Sequence, residues 1–273
     1  MVSVHLLYQD FFRFIDALAA GERDPWHLYR EHYLEPNRVV LAAWWDQCLG
    51  LPEEAWADRV RRIRAQEYEL LRTLVGEEDL TRLAHDAIAR CQTLLPLSPE
   101  PHVYYLVGFF SPDGFAFQVQ GAWAIGIGLE RLTSTRLIPL LLAHEYAHCY
   151  RRQLTQPARL GERLVEEGFA VELAARAFPD RPAADHLLMR RGQLAAMRQY
   201  EDRLRRAIAP HLASEDEAVA ARILYGQGQK GPWASRAGIY LGWRIVRDFL
   251  QKGQGGFDSD AEVVLRSAGF SAQ

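Results

Sequence analysis

The chain reads as an α+β protein, predominantly α-helical, and three observations carry that reading. Apolar residues recur at helical spacing over most of its length: Phe11, Phe14, Ile15 and Leu18 early, Leu187, Leu188, Leu194, Met197, Leu204 and Ile208 late. Between Pro101 and Glu130 the pattern changes to short runs rich in Val, Ile, Tyr and Phe, bounded by turn residues. Proline and glycine at Pro25, Pro36, Pro52, Gly76 and Pro96 punctuate the helical segments.

Residues 1–95 read as helix after helix. The first is closed by Gly21. Asp24-Pro25 caps a short second one that runs to Leu34, and Val39, Val40, Ala43, Trp44 and Cys48 mark a third. Pro52 opens a longer helix with Val60, Ile63, Leu70, Leu71 and Leu74 inward and Gly76 past its end. Leu80, Leu83, Ala87, Ile88, Cys91 and Leu94 mark the next. His27, His32 and His85 lack metal-ligand spacing and read as structural. A boundary falls at Pro96, dividing a helical region 1–95 from a core 96–273, with one continuous domain as the alternative. Three strands fill 102–130: 103–110, 115–120 and 122–129, the first two joined by the turn Ser111-Pro112-Asp113-Gly114. Helices are expected over 135–152 and 162–177, then in the span 183–270. Within that span lie one long helix after Pro182, a capping box at Ser214–Glu217, a glycine-rich loop over 225–233, a helix from Ala234 to Leu250 and a last one capped by Asp258.

Composition narrows the function. With 273 residues, 49% hydrophobic and 25% charged, the chain can bury a large core, and a net charge of −3 gives nucleic acid no purchase. The basic run Arg59–Arg64 reads as the wet face of a helix. Three scattered cysteines, Cys48, Cys91 and Cys149, argue against a disulfide framework and for a reducing compartment. The first ten residues do not resemble a signal peptide, and no apolar run reaches membrane-spanning length. A cytoplasmic protein with neither membrane nor nucleic acid as partner is expected.

The chemistry concentrates in His144-Glu145-Tyr146-Ala147-His148. This is the H-E-x-x-H pattern of zinc hydrolases. On a helix the two histidines sit about 40° apart around the axis and about 6 Å apart along it, so both imidazoles can converge on one ion. Glu145 projects beside His148, outside the coordination sphere but within reach of a water on the metal, where a general base belongs. The bland alternative is a core helix with two satisfied histidines. Seven of the eight residues before Glu145 are apolar, so the helix should be buried all round, where unpaired polar groups are costly. Arg151 and Arg152 suit its C-terminus, steering of a substrate carboxylate being the other reading.

A catalytic zinc usually takes a third protein ligand and keeps one position for water. Glu167, nineteen positions after His148, lies in Glu162–Glu172, a stretch with Leu164, Val165, Phe169 and Val171 on one helical face. Here the chain resembles the gluzincins, whose third ligand is a glutamate on the next helix. By that resemblance Glu167 is the ligand and its neighbour Glu166 the competitor. The segments Ser235–Val246 and Ala261–Phe270 also look like the YjaZ-like family of predicted zinc-dependent proteases, a likeness covering roughly residues 100–270.

The resemblance implies a zincin-like core, with the small sheet packed on the H-E-x-x-H helix, and one zinc ion held by His144, His148 and Glu167. It implies a peptide or protein substrate cleaved by a zinc-activated water, with Glu145 as base. It also implies an oxyanion donor: Tyr240 is the choice, with Tyr225 and His211 as alternatives, and a core role equally open to Tyr240. Glu172 would orient a zinc-bound imidazole. A sheet edge would pair with the substrate backbone, with Gly126 and Gly128 allowing close approach; glycines at a bulge in a core strand are the other reading. The functional alternative is a zinc-binding protein of this fold without turnover.

Overall fold

Four strands form one mixed sheet in an otherwise helical chain, in a computed structural model that describes residues 2–21, 24–50, 52–109, 112–228 and 236–270. The protein is α+β and mostly helical, as expected. Two compact units divide it: Met1–Arg90 with Leu97–Cys149, and Cys91–Pro96 with Tyr150–Gln273. The sheet thus belongs with the N-terminal helices, whereas the sequence division at Pro96 grouped it with the C-terminal ones.

In the first unit, β1 (Val4–Leu6) leads into α1 (Tyr8–Ala20), which buries Phe11, Phe14 and Ile15 and stops at Gly21, left-handed at φ +77°. Next, α2 (Pro25–Tyr29) is capped by the Asp24 carboxylate accepting from the His27 N–H at 3.2 Å, and continues as a π-helical turn to Leu34. After it come α3 (Arg38–Leu49), α4 (Glu53–Val60), α5 (Glu69–Gly76) and α6 (Leu80–Leu94). The single long helix expected from Pro52 to Gly76 is broken into α4 and α5 by a 3-10 turn over Ala65–Tyr68, which buries Ala65 and Tyr68.

Strands β2 (His102–Leu106), β3 (Gly114–Val119) and β4 (Ala122–Gly128) match the three segments read from sequence. The spatial order is β1-β2-β4-β3, with β1, β2 and β4 parallel and β3 antiparallel to β4. Gln120 (φ +51°) and Gly121 (φ +82°) make a two-residue turn of the I′ kind between β3 and β4. The residues 110 and 111, and with them part of the expected 111–114 turn, lie outside the described residues. From β4 the chain enters α7 (Ile138–Leu154) through a 3-10 turn capped by Ser134. Cys149 on α7 donates its thiol to the Ala124 carbonyl of β4 at 3.7 Å.

In the second unit, α8 (Leu160–Ala177) starts where the Glu162 carboxylate accepts from the Ala158 and Arg159 N–H groups. The expected long helix after Pro182 is instead three: α9 (Ala183–His186), α10 (Arg191–Gln199) and α11 (Glu201–Ile208). Leu188 at φ +51° marks one break and Tyr200 another. Then come α12 (Glu217–Tyr225), ended by Gly226 at φ +71°, α13 (Ala237–Gln251) and α14 (Ala261–Ser267). The caps of α12 and α14 are Asp216 and Asp260, not the expected Ser214 and Asp258. The expected glycine-rich loop falls from residue 229 onward outside the described residues, as do Ala234 and Ser235. The core of this unit is α8 against α13, and two glycines set their distance. A Cβ on Gly168 would lie 2.3 Å from the Gly242 carbonyl oxygen, and one on Gly242 2.0 Å from that of Leu164.

Candidate metal centre

Over residues 140–149 helix α7 is buried on every side: Leu140, Leu141, Leu142, Ala143, Tyr146, Ala147 and Cys149 are all in the core. His144, Glu145 and His148 are buried with them. Polar groups placed there must be satisfied. The helical spacing brings His144 and His148 together as expected, their ring centroids 4.8 Å apart and their planes at 74°. Each turns its Nε2 toward the other, 3.1 Å apart. Two nitrogens bound to one tetrahedral zinc at 2.0–2.1 Å would lie roughly 3.3 Å apart, so this spacing fits a shared ion with little adjustment.

A carboxylate oxygen of Glu167 completes the group, the donor atoms of His144, His148 and Glu167 all lying within 4.8 Å of one another. Two imidazoles and one carboxylate are a donor set of catalytic-zinc type, and all three residues are buried. On α8, Glu166 turns elsewhere: its Oε1 accepts from Arg152 Nε at 2.9 Å. Of the two adjacent glutamates, Glu167 is therefore the one that joins the histidines.

Glu145 owes its place to a missing side chain. A Cβ on Gly114, the first residue of β3, would stand 2.9 Å from Glu145 Oε1 and 3.0 Å from its Cγ. The sequence marks Gly114 only as part of a turn. Its second role needed the β3–α7 proximity, for which the sequence carries no signal.

The other candidate residues have settled partners. Gly126 does not face open space: a Cβ there would sit 2.0 Å from the Trp44 ring. It also lies in β4, an interior strand paired on both sides with Tyr104 and Phe115, so the expected substrate approach at Gly126 is corrected to the packing of a tryptophan. Gly128 ends the same strand, buried, its N–H donating to the Asp113 carbonyl at 3.1 Å. The Tyr240 hydroxyl donates to Glu201 Oε2 at 2.7 Å, and its pKa is raised by burial and by that carboxylate. Tyr225, the alternative, donates to Glu167 Oε1 at 3.1 Å. The tyrosine at a candidate ligand is thus Tyr225 rather than Tyr240. Glu172 gives its two oxygens to Arg176 Nε at 3.0 Å and Trp243 Nε1 at 3.1 Å, in place of the expected imidazole. His211 lies in the 3-10 turn after α11, its side chain assigned no part here. Arg151 does not wait for a substrate carboxylate: it is buried, donates from Nη1 to the Phe257 and Ser259 carbonyls at 2.8 Å each, and lies over the Phe169 ring.

Burial, with Glu145 and Glu130 adding to it, pushes the Cys48 thiol up to about 12, so it stays protonated. The cysteines among the described residues are all free, in keeping with the absence of a disulfide framework.

Buried histidines one helical turn apart, with a glutamate from the next helix in reach, define a class of chain able to hold a metal ion. The chain belongs to the family described as predicted Zn-dependent protease (DUF2268), which matches residues 118–262, just over half its length. That span runs from the end of β3 through α7 and α8 into α14. No curated protein and no solved structure matches the chain. Among the described residues no helix is long and apolar enough to cross a membrane.

Proposed function

We propose that the chain is a zinc-dependent peptidase in which His144, His148 and Glu167 hold one zinc ion and Glu145 is the general base. The observation that supports it is the buried three-residue donor group beside a buried glutamate on the same helix. Bound there, zinc would lower the pKa of water and polarise a carbonyl. The two histidines bring their Nε2 atoms within 3.1 Å of each other, and Glu167 would supply the anionic donor. Glu145, beside the start of β3, takes a proton from the attacking water and passes it to the leaving amine.

An extended peptide is the substrate this reading favours. The outer strand beside Glu145 is β3, so it replaces β4 as the edge on which a peptide would lie. By antiparallel alternation, Gly114 and Gln118 direct their N–H and C=O groups away from β4. Gln47 fills this edge at its far end, its side-chain amide donating to the Gln118 carbonyl at 2.7 Å and accepting from the Gln118 N–H at 2.9 Å. The peptide would therefore occupy the end nearest Gly114.

Glu145→Gln tests the reading. Zinc content should stay at one per chain while cleavage of a peptide library falls roughly 100-fold or more, the usual scale of a lost general base. Cleavage at the wild-type rate by this variant, or wild-type protein purified without chelator and free of zinc, would sink it.

A further inference from the structure

Tyr225 is half exposed, yet its hydroxyl reaches inward to donate to the buried carboxylate of Glu167 at 3.1 Å. It is the last residue of α12, immediately before Gly226 at φ +71°, so the helix end and the left-handed turn fix where the phenol enters. We propose that Tyr225 is a positioning residue for the metal: its hydroxyl, on Glu167 Oε1, sets the plane of the carboxylate and so its presentation of a single oxygen as ligand. This rests on the zinc reading above and adds to it a residue that touches neither metal nor substrate.

The physical reason is rotational. A glutamate side chain turns freely about its last bond unless one oxygen is held. A phenol on Oε1 restrains that rotation and takes up a lone pair of that acceptor oxygen, which disfavours two-oxygen coordination. Groups that orient a ligand in this way typically govern metal affinity 10- to 100-fold. Tyr240, whose hydroxyl is engaged by Glu201 at 2.7 Å, has no comparable contact with Glu167 to offer.

The experiment measures zinc affinity by competition with a chromophoric chelator, for wild type and Tyr225→Phe, together with the melting temperature of the metal-free proteins and kcat on a cleaved peptide. The expected result is a zinc Kd raised at least tenfold in Tyr225→Phe, with the metal-free melting temperature lowered by only a few degrees, the cost of one hydrogen bond to a buried carboxylate. An unchanged Kd overturns the proposal. If that unchanged Kd comes with a collapse of kcat, the hydroxyl acts on substrate instead. A wild-type protein that binds no zinc brings down the zinc reading and this inference with it. A wild type that binds zinc, beside an unaltered Tyr225→Phe, brings down the inference alone.

Discussion

Gly114 makes room for the Glu145 carboxylate, and adding one methyl there would press on it from 2.9 Å. The obstacle is the far end of a flexible side chain, so the carboxylate will swing aside before the fold gives way. Gly114→Ala should therefore keep its zinc and its melting temperature while kcat drops, by roughly 100-fold if the base moves about 1 Å. Parallel metal analysis and kinetics check this; loss of zinc instead of rate would place the damage on the histidines. At this scale the sequence was most informative where chemistry depends on local spacing. Four residues of helix suffice to bring His144 and His148 together, and both were legible for that reason. Glu167 was legible only with the help of resemblance, because spacing alone left Glu166 equally placed. For Tyr240 and Gly126 the sequence left a functional and a core reading side by side, because the partners the structure gives them, Glu201 and Trp44, are distant in sequence and nothing local announces them.

The element that carries the third donor is α8, and its packing against α13 depends on Gly168 and Gly242 passing backbone to backbone. A side chain at either position meets a carbonyl oxygen that cannot rotate away. Gly242→Ala should destabilise the protein by about 3 kcal/mol or more, the upper range for overpacking, although alanine is the better helix former by about 1 kcal/mol. Denaturant unfolding of metal-free protein measures it, and a neutral or stabilised variant would contradict the close crossing. The Glu-Gly and Leu-Gly pairs that guided the family resemblance therefore have a packing cause: Gly168 and Gly242 let two helices approach. Most helices were legible from apolar periodicity, α7 and α8 among them. Breaks at Ala65–Tyr68, Leu188 and Tyr200 were not, since helix-forming sequence continues through them and tertiary packing decides. Strand β1 was missed because three residues carry too little alternation to read.

Across the whole molecule, two histidines away from the candidate centre couple folding to pH. His5 has its pKa lowered by burial and then by His102, whose Nδ1 lies 3.3 Å from His5 Nε2, and it stacks on Tyr104. His186 has its pKa lowered chiefly by burial, against the Arg181 carbonyl and Asp185, which act the other way. A histidine with a lower pKa folded than unfolded takes up its proton more readily in the unfolded chain. The stability linked to it is whole above the unfolded value of 6.5 and is lost as pH falls through the lower folded values. Metal-free protein should thus melt at a lower temperature at pH 5.5 than at pH 7.5; calorimetry giving equal or higher values in acid would contradict it. The α+β class was readable from the change of period near Pro101. The grouping of the sheet with the N-terminal helices was not, because contacts between residues far apart in the chain leave no mark on composition.

Gln47 has a consequence for crowded solutions. By lending its amide to Gln118 it acts as a one-residue false neighbour at the border of the sheet, stoppering the place where a second copy could zip on strand to strand. The chain thus shields part of its own border from fibril-like stacking.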